Sequence, residues 1–209
     1  GIGGELFQEI LELAQDADIR QLSAQVAPHS QLEQWLLQHS FEKSKLTEQW
    51  LLDIAELGRK VDNKGHRLPD GWVRRNPVAD DLSALQELVV PTNLVDKERI
   101  HFDATHGYAP DLSQVVYRGD ELLGALLVRR MSGPCVLVEV RITAPSLYKL
   151  SSGRVNIALL RGLFDSMQQK KVTKMMLHIQ PDKDHESVNL VKRMNGTCQS
   201  RVQVLQRTL

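Results

Sequence analysis

A handful of residue groups in this chain could do chemistry. On the run Leu137-Val138-Glu139-Val140-Arg141-Ile142, strand alternation puts Glu139 and Arg141 on one face. They read either as a carboxylate free to hold a proton or as an exposed ion pair. His101-Phe102-Asp103-Ala104-Thr105-His106 looks like a loose metal cluster. Its histidines are five apart, so on a helix they fall on different faces, and no metal site is expected. His29 and His185 each open an amphipathic helix and either cap it or relay a proton. Gly1-Ile2-Gly3-Gly4 stands just ahead of a helix, where glycines let backbone amides approach an anion closely. Ser151, Ser152 and Arg154 offer hydrogen bonds to an anion in a second such position. Cys135 and Cys198 lie far apart in apolar, strand-like surroundings, which suits two buried thiols better than a disulfide or metal pair. Trp35, Leu36 and Trp50 read as core.

The composition bounds what these groups can serve. Lys plus Arg and Asp plus Glu number 26 each over 209 residues, so no global field draws the chain onto nucleic acid or an anionic membrane. Any charged ligand must be met locally. Hydrophobic residues at 42% and charged residues at 25% are ordinary for a globular chain and exclude a disordered or fibrous one. There is no run of 18 apolar residues, and the amino terminus lacks a basic region followed by an apolar signal core. A cytoplasmic protein with no membrane or nucleic-acid partner is expected. The first residue is Gly1 rather than Met, which reads as a tag remnant or as the sign of a missing upstream segment.

The elements that must hold these groups come in two copies. From Leu6 to Pro28 the chain reads helix, polar break at Asp16 to Asp18, then the alternating run Ile19, Leu22, Ala24, Val26. From Leu159 to Pro181 the layout is the same: Leu6 corresponds to Leu159, Ile10 to Leu163, Ile19 to Val172 and Val26 to Ile179. Each proline is followed by a histidine-led helix, His29 to Phe41 and His185 to Thr197, and then by a strand, Lys45 to Ile54 and Arg201 to Leu209. Four elements in one order point to duplication. Between the copies Gly58 to Gly71 is polar and turn-rich and reads as a linker. Downstream, Trp72 to Arg75 predicts a strand, Asp80 to Val90 a helix ended by Pro91, Lys97 to Gly107 a further helix, Val115 to Val128 a hairpin around an Arg-Gly-Asp turn, and Cys135 to Ile142 a strand. Three segments result: 1–57, a linker 58–71, and 72–209.

That order over roughly residues 70 to 209 resembles the GNAT superfamily of acetyl-CoA-dependent N-acetyltransferases. The resemblance implies an α/β (α+β) fold with a mixed sheet, one complete module preceded by the C-terminal half of another. In that family a loop between the fourth strand and the long third helix cradles the pyrophosphate of acetyl-CoA, through a basic or Gln residue, two others, and Gly-x-Gly or Gly-x-Ala. Gly1-Ile2-Gly3-Gly4-Glu5-Leu6-Phe7 matches it from the first glycine onward. In the second copy Arg154 and Asn156 stand where the two glycines would be, and Gly153 is one residue out of register.

The resemblance also implies a site. Acetyl-CoA is the co-substrate, and an amine of unidentified type is the acceptor. The backbone of the fourth strand, at Val140 and Ile142, and the residues Ser152, Gly153, Arg154 and Asn156 would meet the cofactor, as would Gly1 to Gly4. Glu139 is the base candidate, with His185 as a second catalytic candidate. The family's acid tyrosine is missing from both copies, where Leu36 and Lys192 stand. If the four strands that should precede Gly1 are absent, the chain alone should bind acetyl-CoA weakly or not at all. The rival is a catalytically inactive module serving as a binding scaffold or homodimerisation surface.

Overall fold

Periodicity in the sequence carries through to the elements. The computed structural model describes residues 2–62, 68–92, 100–102, 107–147 and 149–209. The first repeat gives α1 (Ile2–Asp16), β1 (Gln21–Val26), α2 (Gln31–Gln38) and β2 (Glu42–Asp53), followed by α3 (Ile54–Asp62). Then come β3 (Trp72–Arg75), α4 (Leu82–Val89), β4 (Gln114–Arg118), β5 (Glu121–Arg130) and β6 (Cys135–Thr143). The second repeat closes the chain as α5 (Lys149–Gln169), β7 (Lys174–Ile179), α6 (His185–Arg193) and β8 (Thr197–Thr208). The strands form one eight-stranded mixed sheet in the order β1-β8-β2-β7-β6-β5-β4-β3. The expected α/β class with a mixed sheet is what the chain adopts.

The repeat extends to single hydrogen bonds. At the end of α1, Ile19 N–H donates to Ala14 C=O and Asp18 N–H to Gln15 C=O. At the end of α5, Val172 N–H donates to Met167 C=O and Lys171 N–H to Gln168 C=O, each pair 153 residues on. Asp18 and Lys171 both adopt the left-handed region, at φ 53 and 56. Ser40 and Asn195 do so at the ends of α2 and α6, at φ 64 and 53. Left-handed residues that close a helix free the chain to turn back into the next strand. The last strands are exchanged: β8 of the second repeat pairs antiparallel with β1 of the first, from Gln21↔Thr208 to Val26↔Gln203.

Contacts divide the chain into two compact units. The first comprises residues up to Gln49 with Ile179–Val188 and Cys198–Leu209. Its core joins Phe7 and Leu11 of α1 to Val26, Leu36, Phe41 and Leu205. The second comprises Trp50–His178 and Asn189–Thr197. There Leu85, Leu88 and Val89 of α4 pack with Tyr108 on Ala125, Leu127, Val140 and Ile142. The start of α4 is fixed by Asp81, whose carboxylate accepts from both Arg75 guanidinium nitrogens (2.6 and 2.8 Å), from Val78 N–H (2.7 Å) and from Tyr117 O–H (2.8 Å). Burial pushes the Asp81 pKa up, but these donors outweigh it and hold the carboxyl below its ordinary range.

Several local expectations need correction. Helix α3 occupies the start of the turn-rich stretch, because Gly58 is there for packing: a Cβ on it would lie 2.6 Å from the Phe164 ring of α5. Asp53 Oδ1 opens that helix by accepting from Ala55 N–H. His29 and His185 do not cap their helices. Ser30 Oγ accepts from Glu33 N–H and Asp184 Oδ1 from Ser187 N–H, since these short side chains reach the first-turn amides. α4 stops at Val89, and Pro91 falls in a 3₁₀ turn over Val90–Thr92. Both thiols are free and only half-buried. Residues 93–99 and 103–106, which cover most of the helix expected from Lys97 to Gly107, lie outside the described residues, as do Gly1 and Tyr148.

Candidate active site

The Glu139 region is built by how β6 meets its two neighbours. Against β5 it runs antiparallel, with Gly124↔Thr143, Ala125↔Ile142, Leu126↔Arg141 and Leu127↔Val140, but the next pair is Val128↔Val138. Glu139 is the extra residue of a β-bulge. Against β7 the strand runs parallel, and pairing covers only Cys135↔Lys174 to Val138↔Leu177. It stops two residues before β7 itself ends. From Glu139 to Thr143, therefore, β6 is not in register with β7 among the described residues.

The bulge also corrects which residues share a face. Gly124 meets Val155 and Leu159 of α5, so its paired residue Thr143, and with it Arg141, lies on the α5 face. Thr143 Oγ1 is 2.9 Å from Ser152 Oγ of α5. Ala125 and Leu127 lie on the opposite face in the core with Tyr108, and Arg129 shares their alternation. Arg129 Nε donates to Glu139 Oε2 at 2.6 Å. Glu139 is thus on the α4 face, opposite to Arg141; simple alternation fails because one inserted residue reverses it.

Three groups that sequence reasoning missed gather around Glu139. The Arg129 guanidinium lies 4.8 Å from the centre of the Tyr108 ring. Tyr108 is wholly buried, and its hydroxyl has no hydrogen-bond partner among the described residues. Glu139 and Arg129 stand close enough to act on its charge without meeting it in bonding geometry. Burial, reinforced by the Glu139 charge, pushes its pKa up to about 12. His178 shares the alternation of Met176, which pairs with Leu137, and so lies on the same face. The residue is exposed, yet partial burial of its imidazole lowers its pKa, against the opposing pull of Glu139. The pattern left a trace at one of them: Arg129 is a polar residue on the parity of the buried Leu123, Ala125 and Leu127, whereas His178 falls on the more open parity of β7 with Lys174 and Met176.

Apart from Gly1, the remaining expected residues sit on β6 and in three helices. Val140 and Ile142 have buried side chains, and alternation from the Ala144 N–H bond to Leu123 C=O aims their backbone at β5, so the strand contact expected of them falls to their neighbours. Ser152, Gly153, Arg154 and Asn156 all lie inside α5 rather than in a loop before it. Only the first four amides of a helix lack an internal partner, here Lys149 to Ser152; those of Gly153, Arg154 and Asn156 come too late. The helix starts early because a turn closed by Leu147 N–H to Ala144 C=O feeds it directly from β6. Gly153 is exposed, and a Cβ there would meet nothing within 4 Å. Ile2, Gly3 and Gly4 are likewise the first residues of α1, not a loop, and their amides fall among its unpaired first four. His185 is exposed in the first turn of α6, in the first unit, whereas Glu139 belongs to the second. Among the described residues no three His, Cys, Asp or Glu side chains are grouped to hold a metal, and no helix is long and apolar enough to cross a membrane.

Comparison with known proteins gives the architecture its context. No family model matches the sequence. No curated protein matches it either. Solved structures do. A GCN5-related N-acetyltransferase from Sphaerobacter thermophilus superposes with a TM-score of 0.70 at 16% identity, over 100% of this chain and 68% of that one. A tandem GNAT protein from the clavulanic acid biosynthesis pathway, solved without AcCoA, gives 0.64 at 15% identity, over 100% and 70%. A GCN5-related N-acetyltransferase from Kribbella flavida gives 0.58 at 13%, over 96% and 73%. Together with the bulged and splayed sixth strand, these superpositions establish that the chain has the GNAT fold.

Proposed function

We propose that residues 72–209 form an acyl-CoA-dependent N-acyltransferase module, joined through residues 58–71, the first of which complete helix α3, to residues 1–57, the closing half of a second such module. The observation that carries this reading is the parting of β6 from β7 at Glu139, where the parallel register ends and a bulge turns a carboxylate to the α4 face. On the side of β6 turned away from β5, the backbone of Thr143 rather than that of Val140 or Ile142 suits an amide-bearing arm, since Ala144 N–H bonds Leu123 C=O and alternation aims Ile142 and Val140 at β5 as well. The first amides of α5, with the Arg154 side chain, suit an anionic group. Acetyl-CoA, when bound, would supply the acyl group as a thioester. The chain's own part is to accept the acceptor amine's proton at Glu139 Oε1 or Oε2, with Arg129 fixing the carboxylate's orientation. Free thiols at Cys135 and Cys198 suit a cytoplasmic setting.

The inactive scaffold, pairing with a partner or a second copy of itself, is favoured by one feature: Gly153, Arg154 and Asn156 are already inside α5, so no glycine loop presents amides there. Thiol release from acetyl-CoA with small amines, peptide termini and lysine peptides as acceptors separates the two readings. The enzyme reading expects turnover that Glu139→Gln lowers about 10²- to 10⁴-fold with CoA binding retained. Absence of turnover with every acceptor, alongside retained CoA binding, would favour the scaffold. Full activity in Glu139→Gln would reduce Glu139 to half of an ion pair.

A further inference from the structure

α1 carries two apolar stripes side by side. Phe7, Leu11 and Ala14 are buried. Leu6, Ile10 and Leu13, at the same i, i+4, i+7 spacing, are 56%, 43% and 69% exposed. The strand that follows, β1, ends the sheet: it pairs with β8 on one side and with no described strand on the other. An apolar helix stripe beside an open strand edge is a surface that soluble proteins normally cover.

The second repeat shows what covers its own copy of that surface. The counterparts of Leu6, Ile10 and Leu13, 153 residues on, are Leu159, Leu163 and Ser166. The two leucines are fully buried and Ser166 is 8% exposed. Leu159 lies against Gly124 of β5. Ser166 Oγ accepts from Gln114 Nε2 of β4 at 3.0 Å. The counterpart of β1, β7, is paired in parallel with β6. The cover is therefore the meander β4–β6, and the helix and strand it covers match α1 and β1 element for element.

We propose that the exposed stripe of α1 and the open edge of β1 receive a β-meander of the β4–β6 kind, supplied by the stretch of polypeptide that enters α1 from its N-terminal side. The inference rests on the reading of residues 1–57 as the closing half of a module, and not on acyl transfer. Its last strand pairs in parallel with Gln21–Ala24, the counterparts of Lys174–Leu177, and parts from β1 beyond Ala24 as β6 parts from β7 beyond Leu177. The topology points to a source in the same polypeptide. Parallel neighbours need a crossover, and β6–α5–β7 is such a unit, with a short link between Thr143 and Lys149. α1–β1 is the same crossover without its first strand. The superposed structures agree in size, since this chain matches them over its full length yet spans only 68% and 70% of two of them.

The test compares the 209-residue chain with the polypeptide carrying its native upstream residues. In the longer chain, every second amide of Gln21–Ala24 should exchange about tenfold more slowly or better, while Gln25 and Val26 change little. Leu13→Asp should lower the melting temperature of the longer chain by several degrees and leave that of the 209-residue chain within about 1 °C. Protection of the α1 stripe without slowed exchange at Gln21–Ala24 would overturn the pairing proposed here while leaving the half-module reading standing. Self-association of the 209-residue chain with protection of β1, or an upstream sequence without strand-forming runs, would overturn both.

Discussion

Helix α1 and helix α5 share one pattern and meet opposite surroundings. Both close with the same hydrogen bonds and the same left-handed residue, at Asp18 and at Lys171. Position 162 is glycine because a Cβ there would lie 2.1 Å from Gln114 Oε1 of β4; its counterpart in α1, Glu9, is exposed. Ile10 is 43% exposed, and its counterpart Leu163 is wholly buried. The local code thus sets helix, turn and strand in both copies, while the neighbouring sheet decides which stripe is core and where only glycine fits.

The largest effect that would break this comparison is a truncation at the paired positions. Leu163→Ala should cost about 2–5 kcal/mol of unfolding free energy, since it opens a cavity in a dry core. Ile10→Ala in the same chain should cost no more than about 1 kcal/mol. Denaturant titration measures both. Equal losses would mean that the Ile10 stripe is already covered in solution.

A smaller effect sharpens the comparison through pH. The tyrosines of the chain are Tyr108, Tyr117 and Tyr148, all in 72–209 and none in 1–57. Burial pushes both Tyr108 and Tyr117 up to about 12, the latter helped by its hydrogen bond to Asp81. A raised folded pKa means that the stabilisation is complete below the unfolded value near 10 and is lost as pH climbs from about 10 to 12. Phenolate absorbance should show two late midpoints near 12, and Tyr108→Phe should remove one. Midpoints near 10 would mean that these phenols are solvated.

Much of the scaffold was legible from single residues. The residue pattern found β3 at Trp72–Arg75 and the β4–β5 hairpin around Gly119, and the 153-residue spacing exposed two runs of helix, strand, helix and strand in one order. The site was less legible, because its decisive feature is pairwise. Nothing in Val138-Glu139-Val140 announces a bulge; it arises from the register with Leu127 and Val128, and it moves Glu139 to the face opposite Arg141. Tyr108 reaches the group from a segment with no periodicity. Gly58 misled as a turn residue because its reason, the Phe164 ring, is far away in sequence.

Amide exchange of the 209-residue chain with and without saturating CoA tests the central claim most directly, since it locates any cofactor seat by residue. An acyltransferase module in residues 72–209 predicts slowed exchange at Glu139–Thr143 and Lys149–Ser152, the open edge of β6 and the first turn of α5, with Ile2–Gly4 unchanged. Slowing confined to Ile2–Gly4, or none in either place, would contradict a cofactor site in residues 72–209.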